Sequence, residues 1–123
     1  MSDKIDDLAR EMIRNSVWAA APVEEEPEVR LSKWQVYAVG GGRHFVGYNT
    51  TLGEGRVSSV IQSFDRQTRR GVTASGRVYE LVGPPGHDPD AEWVFRTWLR
   101  IQGLSRNDAV PVPPEEFLGV SVE

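Results

Sequence analysis

The sequence has no cysteine, only two histidines, and no apolar run approaching the length of a membrane span. Without cysteine there is no disulfide, no thiolate nucleophile and no zinc site of the cysteine type. His44 and His87 lack the three- or four-residue spacing that places two imidazoles on one metal ion, so both read as structural or surface residues. A membrane-crossing helix needs about 20 apolar residues. The N-terminus is instead charged from Asp3 onward, unlike a secretory signal, and a cytoplasmic location is the expectation. Nucleotide and acyl-transfer motifs are missing as well. Gly40-Gly41-Gly42 is not followed by the Lys-Ser or Lys-Thr of a phosphate loop and reads as a turn. Ser75 sits in Ala74-Ser75-Gly76, a hairpin tip rather than a nucleophile elbow. Neither an enzyme nor a bound cofactor is expected.

What is present fits one domain with appendages. The 123 residues, 39% hydrophobic and 26% charged, are enough for a single modest core. The net charge of -4 conceals an uneven distribution. Residues 1–30 hold 8 acids and 4 bases, residues 31–83 hold 3 acids and 7 bases, and residues 84–123 hold 7 acids and 3 bases. A basic middle between acidic ends allows a nucleic-acid surface, and equally allows the ends to fold against the middle and neutralise it. Arginine outnumbers lysine 12 to 2, which suits planar, bidentate contacts with carboxylate or phosphate.

In chain order, Ile5, Leu8, Ala9, Met12, Ile13 and Val17 recur at helical spacing, so residues 1–18 read as an amphipathic helix. Its apolar stripe either packs on the protein's own sheet or docks on a partner. Residues 19–32, containing APVEEEPE, read as an acidic linker. From Lys33 the period becomes two, and residues 33–103 read as a β-sheet domain with a closing helix. Trp34 to Val39 and Arg43 to Tyr48 form a hairpin over the three glycines. Arg56 to Asp65 is a third strand, bulged or bent near Ser58-Ser59. Val72-Thr73-Ala74 and Val78 to Val82 form a second hairpin over Ser75-Gly76, ended by Gly83-Pro84-Pro85-Gly86. Asp88 caps a helix with Pro89 at its first position, an apolar face from Ala91 to Ile101, and Gly103 at its end. Residues 104–123 are a proline-rich acidic tail that either wraps the domain or hangs free. The expected fold is α+β and mainly β: a five-stranded antiparallel curved sheet, or a small SH3-like or OB-like barrel.

The order Trp34-x-Val36, glycine turn, Ser58-Ser59-x-Ile61, Val72-Thr73-x-Ser75-Gly76-x-Val78-Tyr79-x-Leu81 and a closing helix with Trp98 resembles a group of short proteobacterial and mobile-element proteins. That group carries a Thr-Ser-x-Ile strand and a Val-Thr-x-Ser-Gly-x-x-Tyr-x-Leu hairpin; here Ser58 stands in place of the threonine. The resemblance covers residues 34–98 and implies a fold but no catalytic residue. Its occurrence on mobile elements implies an adaptor, or an inhibitor of a host defence system.

Two binding surfaces follow from the residues. Trp93 falls off the apolar stripe of the second helix and, with Arg96 and Arg100, makes a protein-binding surface, since tryptophan and arginine anchor interfaces more than other side chains. Alternatively, Arg43, Arg56, Arg66, Arg69, Arg70 and Arg77, with Tyr48, Tyr37 or Phe45 to stack on bases, make a nucleic-acid surface on the sheet. The protein partner is the preferred expectation, because the acidic ends repel phosphate.

Overall fold

The computed structural model describes residues 23–118. The expected N-terminal helix and the first residues of the linker lie outside the described residues, as do residues 119–123. Strand β1, Glu28–Val39, is the axis of the fold, and its two halves have different neighbours. Glu28 to Leu31 pair in parallel with β6, Val78–Leu81. From Leu31 to Val39 the strand pairs antiparallel with β2, Gly42–Asn49. Tyr37 to Val39 also pair with β7, Ala109–Pro111. Between the halves a bulge at Ser32 to Gln35, with Lys33 at φ 47, bends the strand and re-aims its second half.

Three further strands complete an open mixed sheet: β3, Glu54–Val57; β4, Ile61–Asp65; and β5, Arg70–Thr73. The order is β3-β2-β1-β6-β5-β4, with β7 set beside β1. Helix α1, Pro89–Ile101, closes the β3 end. A Cβ on Gly55 would lie 2.6 Å from the Ala91 backbone, so only glycine lets helix and strand approach this closely. Asp90 fixes the contact by accepting the Gly55 N–H at 2.6 Å.

The protein is therefore mainly β, with seven strands rather than five among the described residues, in an open sheet rather than a closed barrel, and with one parallel pairing among them. Three sequence features account for the difference. β1 begins at Glu28, inside the expected linker, because Val29 and Leu31 alternate with polar neighbours and are fully buried. The expected strand from Arg56 to Asp65 is two strands, because Ser58 takes over the ladder position. Its Oγ accepts the Phe45 N–H at 2.9 Å and donates to the Ser59 carbonyl at 2.7 Å, ending β3 before β4 starts. The first part of the tail wraps the domain: β7 pairs with β1, and a short helix α2, Pro114–Leu118, buries Phe117.

Two apolar clusters hold these layers together. Val94, Phe95, Trp98 and Leu99 of α1 pack on Tyr37, Val46 and Val57 of the sheet. On the other side Trp34, Val36, Phe45, Tyr79 and Leu81 meet Val112 and Phe117 of the tail. Each large apolar side chain taken fully from water stabilises the fold by roughly 1.5 to 3 kcal/mol. Helix α1 starts where Asp88 accepts the Ala91 N–H at 2.9 Å and ends where Gly103 adopts φ 81.

Candidate functional site

The basic middle of the chain meets acids from both flanks. Glu26 binds Arg56 at 3.2 Å and Arg77 at 3.5 Å, Glu28 binds Arg70, and Glu116 binds Arg43 at 2.8 Å. Arg30, on β1, reaches Glu80 at 3.5 Å. Arg56 is only 1% exposed in its side chain and Glu26 14%, so this pair is internal. Burial raises the pKa of the neighbouring Tyr79, an effect the Arg56 and Arg77 charges oppose. Burial likewise raises Glu54, against the pull of Arg56.

Of the six sheet arginines proposed from sequence as a phosphate-binding set, Arg56 and Arg77 are thus inside the protein and paired, which corrects their assignment to an exposed surface. Arg43 is exposed and Arg70 half-buried, and both already hold carboxylates. Arg69 lies with its guanidinium 5.5 Å from the Trp34 ring centre and donates to the Gly83 carbonyl at 2.7 Å. Arg66, in the turn between β4 and β5, is exposed and has no carboxylate partner among the described residues. Tyr48 is half-buried, while Tyr37 and Phe45 are buried in the two clusters and present no ring to a base. The structure does not bring these residues together on one open face.

The α1 set is different. Trp93, Arg96 and Arg100 share the outer side of the helix, and with Leu104, Ser105 and Arg106 they line an open groove of about 370 Å³. Trp93 is 43% exposed and Leu104 36%. The outward position of Trp93 follows from the helical period: Ala91, Val94, Phe95 and Trp98 face the sheet, leaving Trp93 on the far side. Thr97 hydrogen-bonds back to the Trp93 carbonyl at 2.9 Å, so it presents no free hydroxyl to the groove.

Arg106 was not visible as a member from sequence, because it enters from the turn Arg106–Asp108 after the helix. Its Nε donates to Glu92 at 2.9 Å and its Nη2 to the Tyr37 hydroxyl at 2.8 Å, while its guanidinium lies 4.6 Å from the Tyr37 ring centre. Arg96 donates to the same Glu92 carboxylate at 2.6 Å. Burial pushes the Glu92 pKa up, but the hydrogen bonds from Arg106 and Arg96 outweigh it and hold the acid below its ordinary value. The hydrogen bond to Glu92 in turn raises Arg106. The groove wall is therefore preset and charged at neutral pH. Arg100 has no carboxylate partner among the described residues.

The histidines sit apart from this surface. His44 is buried, its ring 4.9 Å from that of Trp98 and its Nδ1 at 2.9 Å from the Ser58 carbonyl, to which it donates; burial lowers its pKa. His87 is exposed beside the helix cap. Among the described residues no three His, Asp or Glu side chains group to hold a metal ion, and no helix is long and apolar enough to cross a membrane. No family model, curated protein or solved structure matches the chain.

Proposed function

We propose that this chain is a non-catalytic protein-binding module that meets its partner through the outer side of α1. The observation that carries the reading is Trp93: a large aromatic left 43% exposed on a rigid helix, beside a second exposed apolar side chain, Leu104, and three arginines. Tryptophan and arginine are the residues whose burial most often dominates an interface, and a helix whose inner face is locked into a core presents them without an ordering cost. The role this suits is that of an adaptor or inhibitor, in keeping with the mobile-element resemblance. The nucleic-acid reading has less support, since Arg56 and Arg77 are buried against Glu26, and Tyr37 and Phe45 are buried in the core and expose no ring to stack on a base.

The test is site-specific photocrosslinking in the native host. A benzoylphenylalanine at position 93 should trap one defined protein, and the same group at Leu52, exposed on the loop before β3, should not. No adduct at position 93, or an identical pattern from both positions, would overturn the reading.

A further inference from the structure

We infer that the partner segment held by the α1 groove is an acidic peptide carrying an apolar anchor side chain. The inference rests on the reading that the groove is a docking site, and it specifies what docks. Three guanidinium groups line the groove, those of Arg96, Arg100 and Arg106, and among the described residues Glu92 is the one carboxylate paired with any of them. The next acid, Asp108, is occupied by the Ser105 backbone N–H at 2.8 Å and forms no ion pair with the three arginines. Among the described residues, the wall therefore carries more positive than negative charge.

The positive charge is also positioned. Arg106 is held by Glu92, by the Tyr37 hydroxyl and by the Tyr37 and Phe95 rings, with centroid distances of 4.6 and 5.2 Å, so it pays little entropy on meeting an anion. Arg96 uses its Nε on Glu92, which leaves the outer edge of its guanidinium for a second carboxylate. Arg100 lies one turn further on and has no carboxylate partner among the described residues, so Arg96 and Arg100 offer two anion positions about 6 Å apart along the helix. Trp93 and Leu104 supply the apolar ground between the charges.

A carboxylate-bearing peptide fits this alternation better than a nucleic-acid strand does. Glu92, fully ionised because its pKa is lowered, stands among the arginines and repels a continuous line of phosphates. A peptide can place its acids on Arg96 and Arg100 and its apolar side chain on Trp93, avoiding Glu92. Bidentate arginine-carboxylate bonds then set the register.

The inference is tested with the full chain and a fluorescein-labelled heptapeptide in which acidic residues flank a central leucine-phenylalanine pair, read by fluorescence anisotropy. Binding should weaken about tenfold on Arg100→Glu and about tenfold on Trp93→Ala. It should fall as salt rises and vanish when the peptide's acids are replaced by lysine. Both substituted positions are on the outer surface, so circular dichroism should report an unchanged fold; Arg66→Glu, a charge reversal elsewhere, should leave binding within about twofold. Absence of binding by the acidic peptide, or binding indifferent to Arg100→Glu and Trp93→Ala, overturns the inference. So does tighter binding of oligothymidylate that is lost on the same two variants. If position 93 still crosslinks a defined protein while the acidic peptide fails to bind, the docking site stands and the proposed chemistry of its occupant falls.

Discussion

Two glutamates in this protein each bridge two arginines, and they do opposite things. Glu26 lies between Arg56 and Arg77 inside the fold, whereas Glu92 lies between Arg96 and Arg106 on the outer side of α1. The charge set is the same in both places: one acid and two bases. What differs is water. Around Arg56, 1% exposed, a missing partner cannot be replaced by solvent, so the pair governs whether the linker, β3 and β6 stay together. Around Arg96, 62% exposed, solvent screens the same attraction, and the cations remain available to something outside the protein. The buried bridge is sealed into the fold, and the exposed one leaves Arg96 open to solvent.

The largest effect expected from breaking this contrast is at Glu26. Glu26→Ala removes the carboxylate that Arg56 holds and should destabilise the protein by about 3 kcal/mol, measured by urea unfolding. Replacing Glu26 and Arg56 together by leucine and methionine should recover part of that loss, because the most deeply buried charge is then gone while Arg77 still gives up its Glu26 carboxylate. A Glu26→Ala protein as stable as the parent would place the bridge outside the core and dissolve the comparison.

A smaller loss is expected at Gly76, in the turn that delivers Arg77 to the bridge. Its φ is 91, and a Cβ there meets nothing within 4 Å, so the cost of Gly76→Val is backbone strain alone, about 1 to 2 kcal/mol. A drop in the thermal midpoint checks it; an unchanged midpoint would show that the turn tolerates another geometry.

At Glu92 the expected loss on substitution by alanine is smaller again, below about 1 kcal/mol, because the bridge is partly solvated. Its pH dependence has a definite sign. The folded pKa of Glu92 is depressed, so its contribution is present above the unfolded value and is lost as pH falls through the folded one. Unfolding of wild type and Glu92→Ala should therefore converge in acid.

The smallest expected effect concerns His44, which is buried like Arg56 but answers burial by losing its proton. Its folded pKa is lowered by burial, so the unfolded chain takes up the proton first as pH drops. The stability it contributes is complete above about pH 6.5 and is lost as pH falls through the folded pKa. His44→Gln should flatten the stability profile between about pH 7 and 5. An equal slope in both proteins would mean that folding leaves the His44 pKa where it is in the unfolded chain.

The parts that were legible in the sequence are those whose cause lies within a few residues. Asp88, Pro89 and Gly103 mark the ends of α1 because capping and chain reversal are local, and the period of 3.6 puts Trp93 outside by the same local rule. Gly76 marks its hairpin for the same reason. The parallel pairing of β1 with β6 was not legible, because Val29 and Leu31 form a short alternation beside an acidic, proline-bearing segment and acquire their meaning only against Tyr79 and Leu81. The division at Ser58 depends on a hydrogen bond to Phe45 on another strand.

The apolar face and caps of α1, the turn at Gly76 and the acidic flanks around a basic middle could be read from the chain alone, since periodicity, capping and charge are properties of neighbours. Which arginine meets which acid depends on the folded packing. Glu26 lies 30 residues from Arg56 and 51 from Arg77 and finds both inside the fold, while Arg106 comes back across the end of the helix to Glu92. Whether a charge is structural or available is set by the water left around it, and that depends on packing between segments distant in sequence.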